Sequence, residues 1–264
     1  MARPVIAFLT DFGTRDHYAG TMKGVALGIC PDATLVDITH DIPPHDALAG
    51  ALELAASCRY FPAATVFLVV VDPGVGSARR SIAAEAGGYR FVAPDNGVLT
   101  LVFKETPPGR VVELTERRYA RPTISRTFEG RDRFAPAAAW LAKGIDLSGL
   151  GRALTSWHTL SVPEPVLGDD RIVGEVLRVD RFGNLVTNID RPTFDRFAGE
   201  GGIEILAGTQ AVGRVVTTYA DAEPGELCAL FGSSGHIEVA VNGSSAAGRL
   251  DLARGAPITI RRAG

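Results

Sequence analysis

The run Thr65-Val66-Phe67-Leu68-Val69-Val70-Val71 passes without interruption into Asp72-Pro73-Gly74-Val75-Gly76. A strand with one wet face alternates apolar and polar residues. An unbroken β-branched and aromatic run reads instead as a strand covered on both faces. Such a strand belongs inside a parallel sheet, with helices above and below. The Pro-Gly turn ends it and leaves Asp72 at its carboxyl end. Toward the N-terminus, Val5–Leu9 ends in Thr10-Asp11-Phe12-Gly13, a helical stretch covers Tyr18–Ile29, and Thr34–Ile38 is strand-like. Asp46 begins a helix, Ala47–Cys58, whose Leu48, Ala51, Leu52 and Ala55 share one face. In the other direction, Tyr89–Ala93 leads into Pro94-Asp95-Asn96-Gly97, and Phe134–Leu141 reads as a helix. This alternation predicts an α/β domain over residues 1–160, a mainly parallel sheet with helices on both faces.

After Leu160 the pattern changes. Ser161 to Asp170, with Pro163, Pro165 and Gly168, suits a linker. Short alternating runs then follow at close spacing: Ile172–Val179, Leu185–Ile189, Ile203–Leu206, Val212–Tyr219, Leu227–Phe231, His236–Val241 and Ile258–Ile260. Gly-rich turns separate many of them, which predicts an all-β, barrel-like domain over residues 170–264.

The chain has 264 residues, 46% hydrophobic and 22% charged, enough to offset the entropy of folding and to exclude disorder as its main state. No apolar run reaches the roughly 18–20 residues that cross a bilayer. Met1-Ala2-Arg3 leads directly into a strand-like run, so no signal peptide is expected. Cys30, Cys58 and Cys228 are odd in number, far apart and without metal-type spacing, which fits a reducing compartment. A net charge of −3 offers no general positive field for nucleic acid. The expectation is a soluble, cytoplasmic protein without nucleic-acid or membrane partners. Asparagine occurs only at Asn96, Asn184, Asn188 and Asn242, so each is a candidate for a specific task, with turn duty as the alternative.

Functional groups of open α/β sheets gather at the carboxyl ends of strands. Asp11, Asp72 and the pair Asp95-Asn96 all stand there. A carboxylate at such a point can accept two hydroxyl donors, as from a ribose diol. Taken singly, Asp11 or Asp95 is better read as a cap or turn tie; three together favour a site. Arg79 follows Asp72 across a Gly-rich turn, and Glu129 lies in Phe128-Glu129-Gly130-Arg131-Asp132. An Arg beside carboxylates keeps them ionised and oriented, able to position and polarise a water; the alternative is a structural ion pair. The sequence holds no GxSxG, HExxH, P-loop or strand-following GxGxxG. His17, His40, His45, His158 and His236 lack metal-ligand spacing, so no metal site is expected. In the β domain, the acid of Asp180–Ile189 suits an ammonium group, its amides suit a base edge, and Phe182 can stack. Phe231-Gly232-Ser233-Ser234-Gly235 could present hydroxyls and backbone N–H groups to a carboxylate. Both stretches read equally well as plain hairpin turns.

Together these motifs resemble the S-adenosyl-L-methionine (SAM) hydroxide adenosyltransferase family, SAM hydrolases related to the fluorinase and chlorinase enzymes. The likeness runs through Thr10–Gly13, Asp37-Ile38-Thr39-His40, Asp72–Gly76, Ala93–Gly97, Phe128–Asp132, Asp180–Ile189, Gly232–Gly235 and Glu238-Val239-Ala240-Val241-Asn242. It implies attack of water or a halide on ribose C5′ of SAM, with methionine leaving. It further implies an α/β domain followed by a β-barrel. Three chains would assemble, each site lying between the first domain of one and the second domain of its neighbour. On this resemblance Asp11 would bind the ribose hydroxyls. Asp180, Ser233 and Ser234 would hold the methionine end, and Phe182, Asn184, Tyr219 and Asn242 would line the adenine pocket. SAM is the substrate and no cofactor is implied.

Hydrolases of the family carry an Asp, Arg and His set around the attacking water. Asp72 and Arg79 match the first two, whereas Glu129 stands where the pattern has His. Halogenases lack the acid matching Asp72 and carry an extra loop before the turn matching Ala93–Gly97; here Arg80–Ala93 is short. Two carboxylates near C5′ would repel a halide and accept hydrogen bonds from water. The sequence therefore predicts hydrolysis to adenosine and methionine. A 5′-halogenase and a non-catalytic adenosine-binding protein are the alternatives.

Overall fold

The computed structural model describes residues 3–199 and 202–262. The chain divides into two compact units, Met1–Ser161 and Val162–Gly264. The first contains β1 (Val5–Thr10), α1 (Tyr18–Ile29), β2 (Thr34–Thr39), α2 (Ala47–Cys58), β3 (Val66–Val70), β4 (Ser81–Ala86), β5 (Tyr89–Pro94), α3 (Thr100–Glu105), β6 (Arg110–Leu114), α4 (Ala135–Ala142) and β7 (Gly151–Ala153). Its sheet has the order β2-β1-β3-β5-β4-β6-β7.

β3 is buried at every residue. Its alternate side chains serve two cores. Val66, Leu68 and Val70 pack with Met22 and Ala26 of α1 and with Ala135, Ala138 and Leu141 of α4. Phe67, Val69 and Val71 pack with Leu54 and Cys58 of α2 and with Val102 and Phe103 of α3. Helices therefore cover both faces, as the unbroken apolar run predicts. Asp46 caps α2 by accepting the Ala49 N–H at 2.9 Å.

The sheet is mixed rather than mainly parallel. β2, β1, β3 and β5 run parallel. β4, β6 and β7 add antiparallel ladders. The physical reason is the link between β4 and β5, a two-residue turn of Gly87 (φ 59°) and Gly88 (φ 79°). A link this short forces a hairpin, since a parallel pair needs a long crossover.

The second unit contains β8 (Val166–Leu167), β9 (Arg171–Val179), β10 (Leu185–Asp190), α5 (Arg191–Ala198), β11 (Ile203–Ala207), β12 (Gln210–Val212), β13 (Leu227–Phe231), β14 (His236–Val241), α6 (Ala246–Leu250) and β15 (Pro257–Arg262). The sheet order is β12-β11-β15-β9-β10-β14-β13, with β8 paired to β9. Around one apolar core the sheet curls until Val215, just past β12, bridges Ala229 of β13. Two departures from expectation follow. The unit is sheet-rich rather than all-β, because α5 and α6 lie between strands. The strand expected over Val212–Tyr219 stops at Val212: the Asp221 carboxylate takes the N–H groups of Thr217 (3.2 Å) and Thr218 (2.9 Å) and turns the chain away. Among the described residues no helix is long and apolar enough to cross a membrane.

Candidate active site

Asp72 follows β3 at its carboxyl end, and Arg79 reaches back to it across the Asp72–Ser77 turn. Arg79 Nε donates to Asp72 Oδ1 at 2.9 Å, and Nη2 donates to Asp72 Oδ2, a bidentate pair. Nη2 also donates to Glu129 Oε2 at 2.8 Å, while Nη1 donates to Ser81 Oγ at 2.8 Å. Ser81 Oγ donates in turn to Glu129 Oε2 at 3.2 Å. Ser81 opens β4 opposite Pro94 of β5, so the antiparallel strand begins at the edge where the parallel strands end. The Arg79 guanidinium lies 5.1 Å from the Phe134 ring centroid. Burial works against its charge, but the hydrogen bonds and fields of Asp72 and Glu129 outweigh this and hold Arg79 above its ordinary value.

Glu129 directly precedes a π-helical turn, Gly130–Phe134, that runs into α4. Such turns recur at functional sites. A Cβ on Gly130 would meet Met22 Sδ at 3.0 Å, so glycine lets this turn close onto α1. The set Asp72, Arg79 and Glu129 is thus assembled from two segments, the β3–β4 turn and the stretch leading into α4. Ser81 belongs to it too and was not legible in the sequence, where nothing marks it out.

The other strand-end acids have partners of their own. Asp11 Oδ2 accepts the His45 N–H at 2.9 Å, and among the described residues Oδ1 has no hydrogen-bond partner. Asp95 is engaged on both oxygens, by Arg80 Nε (2.7 Å) and by the His158 N–H (2.8 Å). Asn96 Nδ2 donates to the Val71 carbonyl at 2.7 Å. Asp95 and Asn96 therefore tie the sheet edge together.

In the second unit an open cleft of about 990 Å³ brings together Asp180, Phe182, Asn184, Tyr219 and Ser233. Ser234 and Asn242 lie outside its lining, and Asn242 Nδ2 donates to the Ala222 carbonyl at 2.7 Å. Asp180 organises its own turn. Its Oδ1 accepts N–H groups from Phe182 (2.9 Å) and Asn184 (2.8 Å), and its Oδ2 accepts Asn184 Nδ2 at 2.9 Å. Phe182, at the tip, is 78% exposed, a ring available for stacking. Tyr219 OH donates to Glu238 Oε2 at 2.8 Å. Burial and the Glu238 carboxylate push the phenol well up, so it stays a donor. Glu238 carries no expected role in the sequence reading. The signal was present, for it is the one acid within the otherwise apolar core of β14. Among the described residues no group of three or more His, Cys, Asp or Glu is arranged to hold a metal.

A carboxyl–guanidinium cluster at the strand ends of a mixed α/β unit, joined in one chain to a sheet-rich unit with an aromatic-lined cleft, defines a two-unit, ligand-handling protein. Residues 6–151 match the model of the SAM hydroxide adenosyltransferase N-terminal domain, and residues 174–259 match that of the C-terminal domain. The chain belongs to this family. It is 40% identical to a protein of Salinispora tropica named (R)-S-adenosyl-L-methionine hydrolase, over 96% of this chain and 95% of the other. A hydrolase of the same name from Thermus thermophilus is 38% identical over 98% and 99%. A fluorinase of Actinoplanes sp. is 30% identical over 98% of each chain. An uncharacterized conserved protein from Thermotoga maritima has a crystal structure with TM-score 0.92 and 38% identity, covering 97% of this chain and 100% of that one.

Proposed function

We propose that this protein hydrolyses S-adenosyl-L-methionine to adenosine and L-methionine. The observation that carries the reading is the Asp72–Arg79–Glu129 cluster, in a chain of which 96–98% aligns with proteins named as hydrolases. A water oxygen bonds to ribose C5′, the C5′–S bond breaks, and its electron pair stays on sulfur as the methionine thioether. The sulfonium is already an activated leaving group, so the reaction as proposed calls on no metal or cofactor. Positioning the water in line supplies much of the rate.

Both Asp72 oxygens are engaged by Arg79, so Asp72 serves to orient the guanidinium. Glu129 shares that guanidinium through Oε2 and keeps Oε1 for the water, whose proton it accepts. Asp11 Oδ1 is assigned to the ribose hydroxyls. Phe182, Asn184 and Tyr219, with Asn242 behind them, are assigned to the adenine, and Asp180, Ser233 and Ser234 to the methionine end. We further propose that three chains assemble, the first unit of each facing the second unit of a neighbour, and that the protein works in the cytoplasm. Buried, unpaired Cys30, Cys58 and Cys228 suit that compartment.

The test is chromatography of SAM incubated with the pure protein, with and without chloride. Equal yields of adenosine and methionine, at one rate in both, are expected. A 5′-chloro product would make the protein a halogenase, and adenosine binding without turnover would make it a binding protein.

A further inference from the structure

The strand-end cluster sets two carboxylates, Asp72 and Glu129, against the single guanidinium of Arg79, and both oxygens of Asp72 draw on it. Glu129 Oε2 is met by Arg79 Nη2 at 2.8 Å and by Ser81 Oγ at 3.2 Å. A second cation stands behind it. Arg133 Nε, four residues further along the chain, lies 3.8 Å from the same Oε2. The Arg133 side chain is partly exposed, yet its Nε is buried without a hydrogen-bond partner among the described residues. A buried cationic N–H left unpaired is costly unless an opposite charge stands close by. Among the described residues Glu129 is the acid paired with Arg133. The other end of the guanidinium is anchored: Nη1 donates to the carbonyl of Leu114, the last residue of β6, at 3.0 Å. Neighbouring acids are taken by other partners. Glu113 and Glu116 line a cavity of about 290 Å³ together with Arg133, but they pair with Arg152 and Arg118. Asp132 is held by Arg131 and Arg121.

We propose that Arg133 is a positioning residue for the reaction and acts through Glu129. Anchored to β6 at one end, it balances the second carboxylate of the cluster and holds Oε2 on the protein side, so that Oε1 is the oxygen presented to the water. This rests on the hydrolase reading above, in which Glu129 accepts the water proton. It also accounts for the convergence of Arg79, Ser81 and Arg133 on a single oxygen.

The experiment measures kcat and KM for SAM in wild type, Arg133→Met, Arg133→Lys, Glu129→Gln and the double variant Arg133→Met with Glu129→Gln. Arg133→Met keeps the apolar stem but removes the charge. It should lower kcat about fivefold, near the upper limit for a partly exposed ion pair, with KM within about twofold. Arg133→Lys restores a cation and should keep kcat within about twofold of wild type. Once Glu129→Gln has removed the carboxylate, Arg133→Met should cost less than about twofold more, because residues that act through one another are not additive. Equal losses in the two backgrounds would mean that Arg133 supports the fold rather than Glu129, and would overturn the proposal. So would an Arg133→Lys no faster than Arg133→Met. If Arg133→Met does not fold, Arg133→Gln, which keeps an N–H donor without the charge, makes the same comparison. Wild type that does not turn over SAM sinks the hydrolase reading and this inference with it. Turnover with an unchanged kcat in Arg133→Met sinks this inference alone.

Discussion

The proton acceptor proposed at residue 129 is a carboxylate, and carboxylates and imidazoles as classes take up a proton over different pH ranges. If Glu129 accepts the water proton, Glu129→Gln should lower kcat about 100-fold with KM within about twofold, as removal of a general base does. Glu129→His should keep activity but lose it below about pH 6.5, because an imidazole accepts a proton only while neutral. A pH–rate profile of both variants checks this, and an unchanged kcat in Glu129→Gln would refute the assignment. Arg79 spans Asp72, Glu129 and Ser81 at once through its planar fork. Arg79→Lys keeps one charge but loses that reach, so kcat should fall by about tenfold or more. Steady-state turnover of SAM by this variant is the measurement.

Among the elements, the turn between β3 and β4 places the site. Gly76 adopts φ +76°, and a Cβ there would lie 2.6 Å from the Arg126 carbonyl oxygen. Gly88, in the β4–β5 hairpin, has φ +79° with nothing within 4 Å. Gly88→Ala should cost about 1 kcal/mol of backbone strain and leave turnover unchanged. Gly76→Ala adds a collision to the same strain, so it should cost roughly 2 kcal/mol or more and lower kcat, since Asp72 and Arg79 flank the turn. Urea midpoints for the pair separate strain from collision. Equal midpoints would mean that the Arg126 segment yields freely.

For the molecule as a whole, acid stability rests partly on Asp132, whose side chain is fully buried. Burial pushes its carboxyl up, but Arg131, the Ser125 N–H and Arg121 outweigh this and hold it below its ordinary value. A carboxyl depressed in the folded state contributes stability above its unfolded pKa of about 3.9, and loses it as pH falls through the folded value. Asp132→Asn should therefore lower stability at pH 7 by about 1–2 kcal/mol, because the carboxylate is buried but Arg131 and Arg121 are partly exposed to solvent, with the gap closing below about pH 4. Denaturant midpoints at pH 7 and pH 3 check it, and a gap unchanged at pH 3 would exclude the linkage. Light scattering should give three times the 27.9 kDa chain mass; a monomer would refute the proposed assembly.

The unbroken run at Thr65–Val71 and the acids at strand ends were legible because burial on two faces and chain termination leave local marks. The same holds for the α1 and α2 bounds, where local signals such as the Asp46 cap act within a few residues, although the buried face of α2 is Gly50, Ala51, Leu54 and Cys58 rather than the expected Leu48, Ala51, Leu52 and Ala55. β4 was not legible, since Ser81-Ile82-Ala83-Ala84-Glu85-Ala86 is alanine-rich and becomes a strand only by pairing with β5 and β6. The mixed sheet follows from that strand. In the site, residue types pointed to Asp72, Arg79 and Glu129, but only packing revealed that both Asp72 oxygens meet Arg79 while, among the described residues, the hydrogen bonds of Glu129 all fall on Oε2. Likewise the sequence offered Asp180 as an acid, and the fold engages it in its own turn and sets Glu238 beneath the cleft. Residue chemistry is written locally, but which lone pair remains for a ligand depends on partners brought from distant segments, and that only the tertiary structure decides.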